Sequence, residues 1–383
     1  MHGGAYTRQA CPGRNAMTGS NGLLYRGGLS VSANRMYRLW EGNSMSNREL
    51  GICLIGCGRA GMIHARNFRN KVPGARMEAV ADVQESAAIA AAQELGITKW
   101  STDYRTFLDD PKVDAVIVVS PTDLHCEIVT ACARHGKHIL CEKPMAMNVQ
   151  ECRDMIDVCD ENNVKLQIGF MRRHDESFAE AKRLLDEGAI GDLVLIKSHT
   201  RGPSKPRPWM YDLAKSNGIL AEVNSHDIDA VRWFAGSDIT SLYAIGGNYR
   251  NPEVSGEYPD YYDNVVMTGQ LASGAQFQID GSAYTQYGYD SHVELVGTKG
   301  LLHVGRSRAN SVEVTTQDGR TTSAFVNSWM TLFLDAYLRE DISFVQAILE
   351  DKQPSVTGYD GLMAVAIVEA GNRSILSGEV IKL

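Results

Sequence analysis

The sequence predicts an α/β protein: a doubly wound parallel sheet in the first part, then an α+β domain with a large, mostly antiparallel open sheet. Three observations lead to this fold class. Strand-like and helix-like segments alternate from Leu50 to about residue 170, with short links between them. Long strand-like segments then follow one another, separated by turn dipeptides such as Ser273-Gly274 and Asp318-Gly319. A glycine-rich turn after the first strand is also typical of doubly wound sheets.

The five strands predicted for the first sheet are short, apolar and often β-branched, as expected for strands buried on both faces. They are Gly51–Cys57, Met77–Asp82, Asp114–Ser120, His138–Cys141 and Leu166–Phe170. Between them, Glu85–Leu95 and Thr122–His135 are predicted helices, because each is followed by a glycine suited to end a helix. Another helix begins after Asn148, since Glu151 three residues later completes a pattern like a capping box.

The second part begins with a predicted helix, Glu176–Glu187, and continues with strands. These predicted strands are Leu193–Thr200, Ser241–Asn248, Asn264–Leu271, Ala275–Ser282, His292–Val296, Leu301–Val304 and Val312–Thr316. Their succession with short turns predicts hairpins, and hence a mostly antiparallel sheet. Two terminal helices, about Asp335–Glu350 and Gly361–Ser377, are expected to cover this sheet.

Length and composition restrict the class of protein. A chain of 383 residues accommodates two domains, and 44% hydrophobic with 22% charged residues is typical of soluble globular proteins. A net charge of −8 argues against nucleic acid as a partner, and no apolar run is long enough to span a membrane. The eight cysteines form no Cys-x-x-Cys pair and no spacing typical of zinc ligands. We therefore expect a cytoplasmic protein without structural disulfides or a bound metal.

The first 46 residues differ in composition from the rest. Gly, Ser, Asn and Arg dominate, no periodicity is visible, and five arginines accompany one acid, Glu41. A transit peptide is one interpretation; we favour a poorly structured upstream extension or a cloning remnant. The predicted organisation is an extension over 1–46, a first α/β domain over 47–170, and a second domain over 171–383 for substrate binding and oligomerisation.

The segment Gly56–Gly61 reads Gly-x-Gly-x-x-Gly, follows the first predicted strand and opens a helix. The first glycine permits a tight turn, the second lets backbone approach a pyrophosphate, and the third lets helix and strand pack closely. The free N–H groups at the helix N-terminus then face the phosphates. This pattern predicts a dinucleotide-binding Rossmann domain, with cofactor contacts from Gly56, Gly58, Arg59, Ala60 and Gly61.

Asp82 ends the second predicted strand. A carboxylate at this position can accept both ribose hydroxyls of NAD and would repel the 2′-phosphate of NADP. Arg59 is a signal in the opposite direction, because arginine also pairs with phosphate. A glycine turn with an incidental acid is the alternative interpretation, and we predict NAD as the cofactor.

Ser120, Pro121 and Thr122 follow the third predicted strand. Ligands of doubly wound folds bind at this carboxyl edge of the sheet, so the two hydroxyls can contact ribose or pyrophosphate. Alternatively, Ser120 or Thr122 caps the next helix, and the two roles are compatible.

Glu142-Lys143-Pro144 ends the fourth predicted strand at the same edge. An amine beside the nicotinamide ring can take or return a hydroxyl proton while a hydride moves to the ring. A strand-end lysine can also be a solvated surface residue or the partner of Glu142. Its position in a nucleotide-binding fold favours the role in proton transfer.

Glu222 and His226 stand four residues apart after a glycine-bearing loop. On one helix they would share a face and reach a common point. A converging carboxylate and imidazole predict an acid–base pair. An isolated histidine in such a segment is more often a packed or capping residue.

Taken in order, these motifs resemble the glucose–fructose oxidoreductase / inositol dehydrogenase family (Gfo/Idh/MocA), from about Leu50 to the C-terminus. The matching segments are the glycine turn, Ser120–His125, Gly136–Pro144, Phe170–Arg173, the Glu222/His226 segment and Thr357–Leu362. The resemblance implies an NAD-dependent dehydrogenase with a Rossmann domain. It also implies a homodimer or homotetramer formed through the C-terminal sheet.

The resemblance further implies roles for individual residues. Lys143 is implied as the catalytic lysine and His226 as its partner near the reacting hydroxyl. Glu222 stands where the family usually has Asp, so its role is expected to persist with a longer side chain.

Three other residues are implied as ligand contacts. His125 and Glu142 are expected to contact the cofactor, and Arg173 is expected near nicotinamide and substrate. A surface salt bridge with Asp175 or Glu176 is the alternative for Arg173.

Family members commonly oxidise a secondary ring hydroxyl of a sugar or cyclitol. Aromatic side chains stack on the C–H faces of sugars, although aromatics are equally common in sheets and interfaces. The candidates form three clusters, Trp209 with Tyr211, Tyr258 with Tyr261 and Tyr262, and Tyr284 with Tyr287 and Tyr289. We predict substrate contacts from Lys143, Arg173, Trp209, Glu222, His226 and Tyr287.

Three clusters favour a pyranoside or other glycoside, oxidised at a ring carbon such as C3. The first alternative is an inositol 2-dehydrogenase, which acts on a cyclitol. The second is a non-catalytic NAD(H)-binding sensor or scaffold, which would need no proton relay.

Overall fold

The first sheet consists of six parallel strands in the computed structural model, which describes residues 49–383; the predicted extension over 1–46 lies outside them. In chain order the strands are β1 (Leu50–Ile55), β2 (Ala75–Ala81), β3 (Lys99–Ser101), β4 (Ala115–Val118), β5 (His138–Glu142) and β6 (Leu166–Gly169). They lie side by side in the order β3-β2-β1-β4-β5-β6. The order reverses between β1 and β4, where doubly wound sheets bind their ligands. The five predicted strands are confirmed, whereas β3 was missed because its three residues contain no apolar run.

Four helices connect these strands. They are α1 (Arg59–Asn70), α2 (Glu85–Leu95), α3 (His125–Arg134) and α4 (Val149–Glu161). Helix α2 has the predicted bounds and ends at Gly96, whose φ of 63° is left-handed. Helix α4 begins as predicted, because the Asn148 side chain accepts a hydrogen bond from the Glu151 N–H at 2.9 Å.

The second sheet has seven strands in the order β12-β11-β7-β10-β9-β8-β15, and a separate hairpin pairs β13 with β14. The strands are β7 (Leu193–Arg201), β8 (Ile239–Gly247), β9 (Asn264–Leu271), β10 (Gln276–Ser282), β11 (Asp290–Gly297), β12 (Leu301–Gly305), β13 (Arg308–Thr315), β14 (Thr321–Phe325) and β15 (Ile381–Lys382). Within this described sheet, β7 and β10 are parallel and the other neighbours are antiparallel, which confirms the prediction.

The helices of the second part are short near the middle of the chain and long at its end. They are α5 (Glu176–Asp186), α6 (Leu213–Ser216), α7 (Gly218–Glu222), α8 (Ser225–Ala235), α9 (Trp329–Leu332), α10 (Leu334–Leu349) and α11 (Gly358–Ser377). Within residues 49–383, no helix combines the length and apolarity that crossing a bilayer requires.

The two faces of the second sheet differ. On β7, Ile196, Ser198 and Thr200 are buried on the face against α8, whereas Lys197 and His199 alternate with them and point to the other face. We call this second face the open face. The homodimer or homotetramer expected to form through this sheet stays a prediction.

The sequence predicted that both terminal helices cover the second sheet. This prediction is wrong for one of them. Helix α11 packs along β8, but α10 packs against α1, which lies on the first sheet. There Phe344 and Val345 join the apolar core formed by Ile52, Leu54 and Phe68. The two sheets accordingly belong to one compact unit, Arg48–Leu383.

Candidate active site

The glycine turn between β1 and α1 has three distinct close approaches. Gly56 has a φ of 100°, and a Cβ there would lie 2.5 Å from the Val119 carbonyl oxygen. A Cβ on Gly61 would lie 2.0 Å from the Gly56 carbonyl oxygen. A Cβ on Gly58 would meet no described atom within 4 Å, so the middle glycine faces open space. This geometry agrees with the predicted roles of turn, phosphate approach and helix packing.

The N-terminus of α1 suits an anion. Its N-cap residue is Gly58, which has no side chain to occupy the free N–H groups. The first turn contains Arg59, Ala60 and Gly61, and no acid. A pyrophosphate would therefore receive N–H groups and the positive end of the helix dipole. These residues fit the predicted dinucleotide.

Asp82 lies directly after β2 and is fixed by backbone. Its Oδ2 accepts from the Cys57 N–H and its Oδ1 from the Gln84 N–H, each at 2.8 Å. Each carboxylate oxygen keeps a further lone pair, so the side chain can still accept ribose hydroxyls. The geometry therefore supports the predicted preference for NAD.

The turn after β4 leaves both predicted hydroxyls out of helix capping. In the described structure, Pro121 is the N-cap of a short 3₁₀-helix over Thr122–Leu124, and no side chain caps it. The Ser120 hydroxyl donates to the Pro121 carbonyl at 3.4 Å. The capping alternative is therefore wrong, and cofactor contact by Ser120, Pro121 and Thr122 stays a prediction.

His125 joins the turn after β4 to the turn after β5, and its expected contact with the cofactor stays a prediction. Its buried ring places Nδ1 2.9 Å from the Pro144 carbonyl oxygen and Nε2 2.9 Å from the Ser120 carbonyl oxygen. Both nitrogens are thereby engaged with the protein. Burial lowers the pKa of His125 despite these backbone contacts.

Lys143 connects the carboxyl edge of the first sheet to the end of helix α7. It follows β5, and its Nζ donates to the backbone carbonyl of Glu222 at 3.1 Å, at the C-terminus of α7. The side chain is half-buried, and the Lys143–Pro144 peptide bond is cis. The amine thus points from the carboxyl edge of the first sheet toward the Glu222/His226 segment, as the proposed chemistry requires.

The Glu142 side chain points into the protein interior. Its Oε2 accepts from the Lys143 N–H at 3.0 Å, and its Oε1 lies 3.2 Å from His64 Nε2. These partners compensate the buried carboxylate, and the expected cofactor contact of Glu142 stays a prediction.

Glu142 belongs to a set of polar side chains beneath Lys143, which we call the buried cluster. Its members are His64, Asn67, Glu142, Glu340 and Asp341. His64 Nδ1 lies 2.6 Å from Asp341 Oδ1, and Asn67 donates to Asp341 Oδ2 at 2.8 Å. Helix α10 is thereby connected through α1 to the strand that carries Lys143.

Two groups of the buried cluster, His64 and Glu340, have raised pKa values and so keep their protons to a higher pH than they would in water. Burial alone would lower the pKa of His64, but the charge of Asp341 and hydrogen bonds with Asp341 and Glu142 raise it well above its usual value. Among the described residues, neither oxygen of Glu340 has a hydrogen-bond partner. Burial and the charge of Glu142 raise the pKa of Glu340 strongly, which favours its neutral form.

Glu222 and His226 do not share one helix, contrary to the prediction. Glu222 ends α7, and His226 lies in α8 after a break at Val223 and Asn224. The break is stabilised by Asn224, whose side chain donates to Asp227 Oδ2 at 2.8 Å. The charge of Lys143 nevertheless acts on both Glu222 and His226, so the three lie together.

His226 is held as a neutral imidazole. Burial lowers its pKa far below the usual value, and the charges of Lys143 and Arg172 act in the same direction. Its Nδ1 has no hydrogen-bond partner in the described part of the chain, and Phe170 packs edge-on against the ring. Burial also raises the pKa of Glu222, which Lys143 opposes. The site therefore places an unpaired imidazole nitrogen near the Lys143 amine.

Sequence reasoning missed Arg172. This side chain is fully buried, donates to Asp227 at 2.9 Å and to Thr200 at 2.6 Å, and its charge reaches His226. The sequence feature that could have indicated it is the pair of adjacent arginines after β6, of which only Arg173 is among the predicted site residues.

Arg173 makes other contacts than expected. Its guanidinium binds both oxygens of Asp229, at 2.9 and 2.5 Å, and Asp360 at 2.8 Å. The alternative pairing with Asp175 or Glu176 is therefore wrong, whereas the expected contacts with nicotinamide and substrate stay a prediction. A paired, largely buried guanidinium is already compensated and has a structural role here.

The aromatic clusters do not converge on one site. Trp209 is 41% exposed, and its neighbour Tyr211 packs against Tyr261, with ring centroids 5.0 Å apart. Tyr287 is 47% exposed and donates to Asp290 on the open face, whereas the Tyr289 hydroxyl lies 3.5 Å from buried Arg172. Tyr287 is thus separated by the sheet from the face that carries Arg172, and its expected substrate contact is not supported.

Comparisons with known proteins agree with this geometry. A model of the oxidoreductase family with an NAD-binding Rossmann fold matches residues 50–170, and a GFO/IDH/MocA C-terminal domain model matches residues 178–303. The chain is 34% identical to scyllo-inositol 2-dehydrogenase (NAD(+)) of Bacillus subtilis, over 86% of this chain and 95% of the relative. It is 33% identical to myo-inositol 2-dehydrogenase of Thermotoga maritima, over 87% and 98%.

A solved structure is also similar. Scyllo-inositol dehydrogenase from Lactobacillus casei, with bound NAD(H) and scyllo-inositol, superposes with a TM-score of 0.80 at 28% identity. The match covers 88% of this chain and 99% of that one.

Proposed function

The chain belongs to the GFO/IDH/MocA family of NAD-dependent oxidoreductases acting on CH–OH groups, and we propose that its substrate is an inositol or closely related cyclitol. The reaction is oxidation of a secondary ring hydroxyl to the ketone. The observation that carries the proposal is the Lys143 amine, held at the Glu222 carbonyl within reach of the unpaired, neutral His226.

Each group of the site has a defined task in this oxidation. Bound NAD supplies the hydride acceptor. The hydroxyl proton goes to a side chain, and both Lys143 and the neutral imidazole of His226 can accept it. Burial raises the pKa of Glu222, and the positive charge of Lys143 opposes this shift, so the carboxyl and the amine act on each other electrostatically.

Two observations favour a cyclitol over the glycoside preferred from the sequence. The relatives described above are inositol dehydrogenases. The aromatic clusters that suggested a larger sugar are used elsewhere, Tyr211 and Tyr261 against each other and Tyr287 on the open face. A compact polyol needs mainly polar partners, which Lys143 and His226 can provide.

A substrate panel tests this proposal. Purified protein and NAD are incubated with myo-inositol, scyllo-inositol and methyl pyranosides, NADH formation is followed, and the product ketone is identified. We expect kcat/KM to be higher for an inositol than for every pyranoside. Turnover of pyranosides with none of the inositols would restore the glycoside hypothesis.

A further inference from the structure

We propose that the open face of the second sheet binds a divalent transition-metal ion such as Zn²⁺ through His199, Asp290 and His292. We call these residues the open-face cluster. The site is separate from the residues around Lys143 and from the proposed oxidation.

Strand geometry brings the three residues together. His199 on β7 and His292 on β11 are directly paired in the antiparallel ladder. Asp290 lies two residues before His292, so its side chain emerges on the same face of β11. The two imidazole rings stack with centroids 5.2 Å apart.

The distances suit a small tetrahedral ion. Asp290 Oδ1 lies 3.0 Å from His292 Nε2 and 3.5 Å from His199 Nε2. Ligand bonds of about 2.0–2.2 Å around tetrahedral Zn²⁺ separate neighbouring ligand atoms by roughly 3.3 Å. One ligand atom from each of the three residues lies within 4.8 Å of the others, so modest side-chain rotation closes the site.

The ligand atoms face one another. Asp290 Oδ1 and His199 Nε2 are buried, and Oδ1 lies within ion-pair distance of both imidazoles of the cluster. Asp290 Oδ2, in contrast, accepts from the Tyr287 hydroxyl at 3.3 Å and lies 3.6 Å from Arg201 Nη1. One carboxylate oxygen is thus oriented by outer partners while the other faces both imidazoles, as in sites with a supporting second layer.

The surroundings also permit a cation. Arg201 contributes the nearest positive charge, but its guanidinium is paired with Asp280 by two hydrogen bonds of 2.9 and 3.0 Å. The cluster opens into a groove of about 460 Å³, which His303 and Phe325 also line. Three protein ligands and a fourth position left for a non-protein ligand are typical of one class of zinc site.

A simple ion pair between charged imidazoles and Asp290 is the competing interpretation. The two interpretations can be distinguished by metal titration, because a simple ion pair would not bind a stoichiometric amount of metal at neutral pH. The sequence pattern for zinc missed this set because its ligands come from strands far apart in the chain.

The test is metal binding by the whole chain after treatment with a chelator. Zn²⁺ is titrated in competition with a chromogenic chelator, and Co²⁺ is used as a spectroscopic probe of ligand type. We expect one equivalent bound by the wild type with nitrogen and oxygen ligands. Both His199→Gln and His292→Gln should weaken binding at least about tenfold.

His303→Gln is the matched control, since its imidazole lines the same groove but is not a proposed ligand. It should retain the wild-type affinity, and Zn²⁺ should raise the Tm of the wild type and of this control only. If one of the two histidine variants does not fold, Asp290→Asn is measured in its place. Absence of stoichiometric binding, unchanged affinity in the ligand variants, or a thiolate-type Co²⁺ spectrum would overturn the proposal.

Discussion

Two imidazole–carboxylate clusters in the described part of this chain differ in how their charges are paired. In the buried cluster, both nitrogens of His64 meet carboxylates, at 2.6 Å from Asp341 and 3.2 Å from Glu142. In the open-face cluster, His199 and His292 share one oxygen of Asp290. Full burial demands that each charge be compensated, whereas the imidazole side chains of the open-face cluster remain 25% and 35% exposed. The first cluster therefore fixes the strand end that precedes Lys143, the proposed catalytic lysine, and the second is the proposed metal site.

The largest expected effect comes from removing the group that the buried cluster positions. Lys143→Ala should lower kcat by about 10²–10⁴-fold, because a proton acceptor is lost at the reacting hydroxyl. NADH binding, measured by fluorescence titration, should persist, since the glycine turn is untouched. His199→Gln is the comparison, and its turnover should equal that of the wild type. Catalysis by Lys143→Ala at the wild-type rate would remove the lysine from the mechanism.

The next effect is on stability. His64→Ala should reduce the free energy of unfolding by about 3–5 kcal/mol, because Asp341 and Glu142 would remain buried and uncompensated. His199→Ala should change it by less than about 1 kcal/mol, as partly exposed ion pairs contribute little. Urea denaturation measures both. Equal losses in the two variants would contradict the distinction between the clusters.

A smaller effect should separate positioning from stability. Glu142→Gln keeps the side-chain shape but removes the charge facing His64, and the Lys143 N–H keeps an acceptor. We expect kcat to fall roughly ten- to a hundredfold through misplacement of the amine. KM should change little, and the pH profile of kcat should shift. If KM rises and kcat is unchanged, Glu142 has no part in positioning Lys143.

The pH dependence of stability provides the finest comparison. The pKa of His64 is raised in the folded protein, so its stabilisation is complete below the unfolded pKa of about 6.5 and disappears as the pH approaches the folded value. The raised pKa of Glu340 acts in the same direction from lower pH, because only the unfolded state loses that proton.

The free energy of unfolding should therefore fall as the pH rises above about 6.5, by up to about 1.4 kcal/mol per pH unit for each group. Urea unfolding across the neutral range measures this slope, with His303→Gln as a control that should retain it. His64→Ala should show a smaller slope, and an identical slope would assign the pH dependence to other groups.

Features that depend on neighbouring residues could be predicted. The helix Glu85–Leu95 ends at Gly96 because a left-handed glycine stops a helix locally. The glycine turn is equally local, because Gly56, Gly58 and Gly61 act within six residues of chain. The position of Lys143 at the carboxyl edge followed from the alternation of strands and helices.

Features that depend on residues far away in the chain could not be predicted from the sequence. Glu142 turns toward His64 and the Asp341 network, which reaches it from another helix at the far end of the chain. The choice between Arg172 and Arg173 was decided by buried acids supplied by α8, Asp227 and Asp229.

The sequence by itself determined a nucleotide-binding sheet with an amine at its carboxyl edge, because strand order and glycine turns are encoded by short-range patterns. Only the tertiary structure decided which acid supports that amine and which histidines remain available. Compensation of buried charge is a property of the folded interior, where residues far apart in the chain become neighbours.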